Sequence, residues 1–102
     1  MNTNLAQAFA AAPRHLFLRE SEREYAAVDA PLPIGYGVTN SQPTTVVNML
    51  ELLDVSPGQK VLDVGAGSGW TAALLAELVG SDGQVVGVER IPELVERANE
   101  AL

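Results

Sequence analysis

The chain has 102 residues, of which 47% are apolar, a balance that suits one globular domain and argues against intrinsic disorder. Thirteen acidic residues against six basic ones give a net charge of −7, which repels phosphate backbones, so no nucleic-acid partner is expected. The absence of Cys and the single His exclude disulfides, thiolate metal sites and a His cluster. No secretory signal and no apolar run of about 18 residues is present, so no membrane partner is expected, and the composition fits a cytoplasmic protein.

Asn4–Ala12 reads as a short helix with Leu5, Phe9 and Ala12 on one face. Pro13 interrupts it, and residues 13–18 can form one further short helix in which His15 is a packing residue. Ser21–Tyr25 is charged and exposed. Ala30–Gly37 carries two prolines and two glycines, and is expected to be an ordered loop rather than a helix or a central strand. A helix is predicted over Gln42–Leu53, with Ser41 as N-cap, Pro43 in the first turn and Val46, Met49, Leu50 and Leu53 as its buried stripe. Lys60–Val64 reads as a strand, Gly69–Val79 as a crossover helix, Gln84–Val88 as a second strand and Glu93–Leu102 as a final helix led by Pro92.

The segment Asp63-Val64-Gly65-Ala66-Gly67-Ser68-Gly69-Trp70 carries the chemistry. Leaving a buried strand for a helix within a few residues needs backbone angles that Gly65 tolerates. Gly67 lets a ligand approach the main chain, and Gly69 is expected to let the helix pack closely on the strand. The free N–H groups and positive dipole end of the helix then face a ligand's negative group. Glu89 ends the next strand about 20 residues on, where an acidic side chain meets ribose hydroxyls in such units. The third glycine comes one place early for a dinucleotide fingerprint, and Trp70 stands at the sixth position, where indole bulk is expected to crowd a pyrophosphate. No P-loop lysine follows.

This G-x-G-x-G pattern resembles motif I of the S-adenosylmethionine-dependent methyltransferases. Upstream, Asp29-Ala30-Pro31-Leu32-Pro33-Ile34-Gly35-Tyr36-Gly37-Val38-Thr39-Asn40-Ser41-Gln42-Pro43 resembles the P-L-P-I-G-x-G and T-I-S-x-P segment of the protein-L-isoaspartate O-methyltransferases. Pro13-Arg14-His15-Leu16-Phe17 and Val88-Glu89-Arg90-Ile91 are similar to two further blocks of that family. The departures are Asn40 for the usual isoleucine, Thr44 and Thr45 where the family often has an aromatic, histidine or methionine, and Trp70.

The resemblance implies an α/β fold: the N-terminal half of a Rossmann-like, doubly wound parallel sheet of the class I methyltransferases, preceded by short N-terminal helices. Residues 1–59 supply those helices and the substrate and cofactor loop, and residues 60–102 supply the first βαβα unit. It implies an S-adenosyl-L-methionine cofactor held by Thr39, Asp63, Gly65, Ala66, Gly67, Ser68, Gly69, Glu89 and Arg90, and Ser41 as the catalytic residue orienting a carboxylate. The acceptor is a protein or peptide bearing isoaspartyl residues. Family members are about twice this long, so a truncated form is expected, with the unpaired Val61–Val64 edge driving homo-oligomer formation. Two other readings are a methyltransferase for a different carboxylate and a non-catalytic, self-associating remnant. Residue by residue, a plain cap (Ser41), a solvated strand-end acid (Glu89) and a structural acid (Asp63) are the competing roles, and Trp70 reads as packing at the helix start rather than as a stacking platform.

Overall fold

The computed structural model describes residues 1–102. Helix α1 (Thr3–Ala11) starts at Asn2, whose Oδ1 accepts the Leu5 N–H at 2.8 Å and so satisfies one of the free donors of the first turn. Two 3₁₀ turns follow, Arg14–Phe17 and Glu20–Tyr25. His15, expected as a packing residue, is exposed, and Arg14 and Phe17 are the buried members of their turn.

The expected loop is an antiparallel hairpin, β1 (Leu32–Gly35) with β2 (Val38–Asn40). Pro33 is tolerated because this ribbon has only two strands and a bulge between Pro33 and Gly35. Tyr36 and Gly37 turn it with φ of 58° and 73°, positive at both central residues as tight hairpins require.

Helix α2 (Pro43–Leu53) buries Val46 and Leu50 only; Met49 and Leu53 stay 64% and 54% exposed, so the predicted stripe is half buried. Strands β3 (Lys60–Val64) and β4 (Gln84–Val88) run parallel, in register from Lys60 opposite Gln84 to Val64 opposite Val88. Helix α3 (Trp70–Val79) crosses between them and is buried on several sides, because α1 packs on it as well as the sheet. Helix α4 (Pro92–Ala101) closes the chain and buries Leu94 and Ala98.

The main core joins Leu5, Ala8, Phe17, Val46, Leu50, Trp70 and Leu74. A smaller one, Leu18, Leu32, Ile34 and Leu94, seats the hairpin on α4. The opposite face of the sheet is open: Leu62 and Val64 are 62% and 74% exposed, with Val86 and Val88 beside them. The edge of β3 away from β4, where the sequence leads one to expect a partner strand, is likewise unpaired. No helix is long and apolar enough to cross a membrane.

Candidate active site

The glycine turn is tied to the far strand before it reaches its helix. The N–H groups of Gly65 and Ala66 both donate to the Val88 carbonyl, at 2.8 and 3.0 Å, so the ends of β3 and β4 are locked together. Gly69 has φ of 98° and begins α3. A Cβ there would lie 3.0 Å from Ala98 Cβ and 3.2 Å from its Cα, so the close approach that Gly69 permits is to α4, not to the strand. Trp70 packs at the helix start, as its reading as a packing residue expects, but does not stand in the way of a ligand. It turns away from the glycines into the core, where its Nε1 donates to the Ala12 carbonyl at 2.9 Å, so it crowds nothing in the turn.

Glu89 faces the turn from the end of β4. Its Oε1 accepts the Gly67 N–H and its Oε2 the Ile91 N–H, each at 3.0 Å. Each carboxylate oxygen has two lone pairs, so both keep one free for a ligand hydroxyl. A hollow of about 600 Å³ lies between Glu89, Arg90, Gly65, Gly67 and Thr39, walled by Ile34, Val38 and Ile91. A second, of about 610 Å³, lies on the other side of Val64 and Gly65 and holds Ser41 and Asp63 against an apolar wall from α2 and β3. The structure therefore brings Thr39, Gly65, Gly67, Glu89 and Arg90 together, places Ser41 and Asp63 across Gly65 from them, and leaves Ala66 and Gly69 contributing backbone near Glu89. Ser68 is different: its side chain is buried, with Oγ inside the protein and unpartnered, and only its backbone belongs to the turn.

Ser41 is exposed and is not the cap of α2. That helix starts one residue later than its cap would require, after Gln42, and no adjacent side chain caps it. Asp29 does the work from a distance. Its Oδ1 accepts the Thr44 N–H at 2.9 Å and its Oδ2 the Thr44 hydroxyl at 2.6 Å, and these bonds hold its carboxyl below the usual range.

Asp63 is half-buried, and its Oδ2 has no partner in the chain. Burial pushes its carboxyl above the ordinary carboxylate range. A raised folded-state pKa means that ionisation opposes folding. The penalty is absent well below pH 4 and grows as pH rises past the unfolded value of about 3.9. Asp63→Asn is therefore expected to raise the urea midpoint at pH 7 and to leave it unchanged near pH 3, which denaturation at the two pH values will show.

Sequence reasoning missed Arg14. It is 6% exposed and reaches Asn40, Ala26, Val28, Ala30 and Ser41 through its guanidinium. Burial lowers its pKa, an effect that Asp29 nearby only partly offsets. Pro13-Arg14 stands in the sequence pattern, but nothing local marks that arginine as an interior group.

A glycine turn leaving a parallel strand, faced by an acid at the end of the next, defines the first half of a class I S-adenosylmethionine-dependent methyltransferase fold. The family model for protein-L-isoaspartate(D-aspartate) O-methyltransferase matches residues 1–102, and the chain belongs to that family. The protein-L-isoaspartate O-methyltransferase of Aeropyrum pernix is 59% identical over 96 residues, 94% of this chain and 37% of its own. That of Methanopyrus kandleri is 54% identical over 101 residues, 99% of this chain and 45% of its own. A solved protein-L-isoaspartate O-methyltransferase superposes with a TM-score of 0.88 at 31% identity, over 98% of this chain and 33% of that one. A Plasmodium falciparum structure described as a protein of this kind, in complex with S-adenosyl-L-homocysteine, gives 0.86 at 26% identity, over 98% and 47%. The chain thus spans less than half the length of these curated relatives.

Proposed function

We propose that this chain provides the cofactor turn and the acceptor-orienting serine of an S-adenosylmethionine-dependent carboxyl O-methyltransferase acting on isoaspartyl residues of proteins or peptides. The observation that carries this is the meeting of two hollows at Gly65, one ending on Glu89 and the other on Ser41 and Asp63. The residues present fit the cofactor. Glu89 has lone pairs free for ribose hydroxyls, and the orphaned Asp63 Oδ2 lacks a donor that an ammonium group would supply.

When bound, S-adenosylmethionine supplies a methyl group already activated on a sulfonium. A carboxylate acceptor is ionised at pH 7, so no general base is needed, and the loop that carries Ser41 has no His or Lys. The protein's contribution is positioning and the exclusion of water. Thr39 and the glycine backbone line the cofactor side, and the Ser41 hydroxyl donates a hydrogen bond to the acceptor carboxylate.

Three departures from the family pattern, Asn40, Thr44 and Thr45, would favour a different carboxylate if they faced the substrate; the Asn40 side chain is buried on Arg14 and Thr44 is held by Asp29, while Thr45 is exposed. Ser41→Ala is expected to lower kcat for an isoaspartyl peptide about tenfold or more, the value of a lost hydrogen bond to a charged group. Cofactor affinity and the denaturation midpoint should stay nearly unchanged, since Ser41 caps nothing. Methyl-transfer kinetics beside a urea titration test this, and an unchanged kcat removes Ser41 from the reaction.

A further inference from the structure

Ser41 lies in a segment whose backbone is gripped from one point. Five carbonyls between Ala26 and Ser41 turn inward onto the Arg14 guanidinium. Nη1 donates to Val28 at 2.9 Å and Ala26 at 3.3 Å; Nη2 donates to Ala30 at 2.7 Å, Ser41 at 3.2 Å and Asn40 at 3.4 Å. Nε takes the sixth acceptor, Asn40 Oδ1, at 2.6 Å. A guanidinium has five N–H groups, so all are committed and one is shared. No carboxylate touches it; the nearest acidic influence is Asp29, whose own oxygens are on Thr44. Ser41 is thus bracketed, its carbonyl on Arg14 and the N–H three residues on bound by Asp29.

The guanidinium also lies 5.5 Å from the centre of the Trp70 ring, the first residue of α3 after the glycine turn. One side chain therefore touches both halves of the candidate site, the segment ending in Ser41 and the helix leaving the cofactor turn. We propose that Arg14 is a positioning residue that fixes Ser41 relative to the cofactor turn, by gathering the 26–41 backbone onto a guanidinium seated against Trp70. This rests on the function proposed above for Ser41. Arginine is required because a planar fork spans acceptors on three sides, whereas a lysine ammonium offers three donors at one point.

The test uses the full chain with Arg14→Lys, Arg14→Ala and Asn40→Leu. In Arg14→Lys, amide hydrogen exchange across residues 28–41 is expected to quicken about tenfold or more, as the loss of even one charge-assisted bond implies, while α3 amides change less than about twofold. Asn40→Leu, which removes only the Nε acceptor, gives a smaller rise at the same amides. Added guanidinium, but not methylammonium, restores protection and methyl transfer in Arg14→Ala. The kcat for an isoaspartyl peptide falls in Arg14→Lys with S-adenosylmethionine affinity unchanged. Exchange that quickens equally in α3, or a loosened segment with kcat intact, overturns the proposal. Absence of methyl transfer in the unaltered chain counts against the proposed function instead, and exchange with guanidinium rescue still decides whether Arg14 holds Ser41.

Discussion

Trp70→Ala is expected to cost about 3–5 kcal/mol of stability, the usual range for emptying a buried indole site. The ring is 3% exposed, meets Phe9 edge-on with centroids 5.7 Å apart, and donates to the Ala12 carbonyl at the end of α1. Its loss removes packing between α1 and α3, strands a buried carbonyl and uncovers the Arg14 guanidinium together. Against a domain stability of about 5–15 kcal/mol, that brings the chain close to unfolding. Trp70→Phe keeps a ring but not the N–H, and should cost about 1–3 kcal/mol for the unpaired carbonyl. Urea midpoints for the two variants give both numbers, and a cost below 1 kcal/mol for the alanine variant would show that the ring is not the joint described.

Glu89→Ala should weaken S-adenosylhomocysteine binding about tenfold to a hundredfold, because bonds to a charged acceptor are worth about 1.5–3 kcal/mol. Part of the loss arises before any ligand arrives. The carboxylate holds the N–H groups of Gly67 and Ile91, so its removal also frees the turn that it faces. Glu89→Gln separates the two effects. It keeps the shape but sets an NH₂ group against one of those N–H donors, so it should lose affinity too. Calorimetric titration of the three proteins is decisive, and equal affinity across them would remove Glu89 from the cofactor site.

The parallel pair was legible to the residue. Lys60–Val64 and Gln84–Val88 are short apolar runs bounded by turn residues, and a strand needs little else to declare itself. The hairpin was not, because Pro31 and Pro33 argue against a strand only when both of its edges must donate, and a two-stranded ribbon leaves them free. The glycines and Glu89 were legible as a site because their spacing is local. Ser68, by contrast, shares the turn's sequence but not its outward face, and side-chain direction within a turn of positive φ cannot be read from spacing. The cap of α2 lay beyond local rules, since Asp29 reaches it across 15 residues. Arg14 was hidden for a similar reason: arginine is ordinarily a surface residue, and its partners come from a segment that only the folded chain brings round it.

Trp70 is the chain's only tryptophan, and it stands where α1, the Arg14 guanidinium and the start of α3 converge. Its emission is therefore a built-in optical gauge of that junction, free of background from any other indole. A cation beside the ring and a carbonyl on its N–H set the colour and brightness of the folded state. Opening of the junction shifts the spectrum even when the hairpin and the parallel strands persist. The opening of that junction can thus be timed by light alone, without attaching a label.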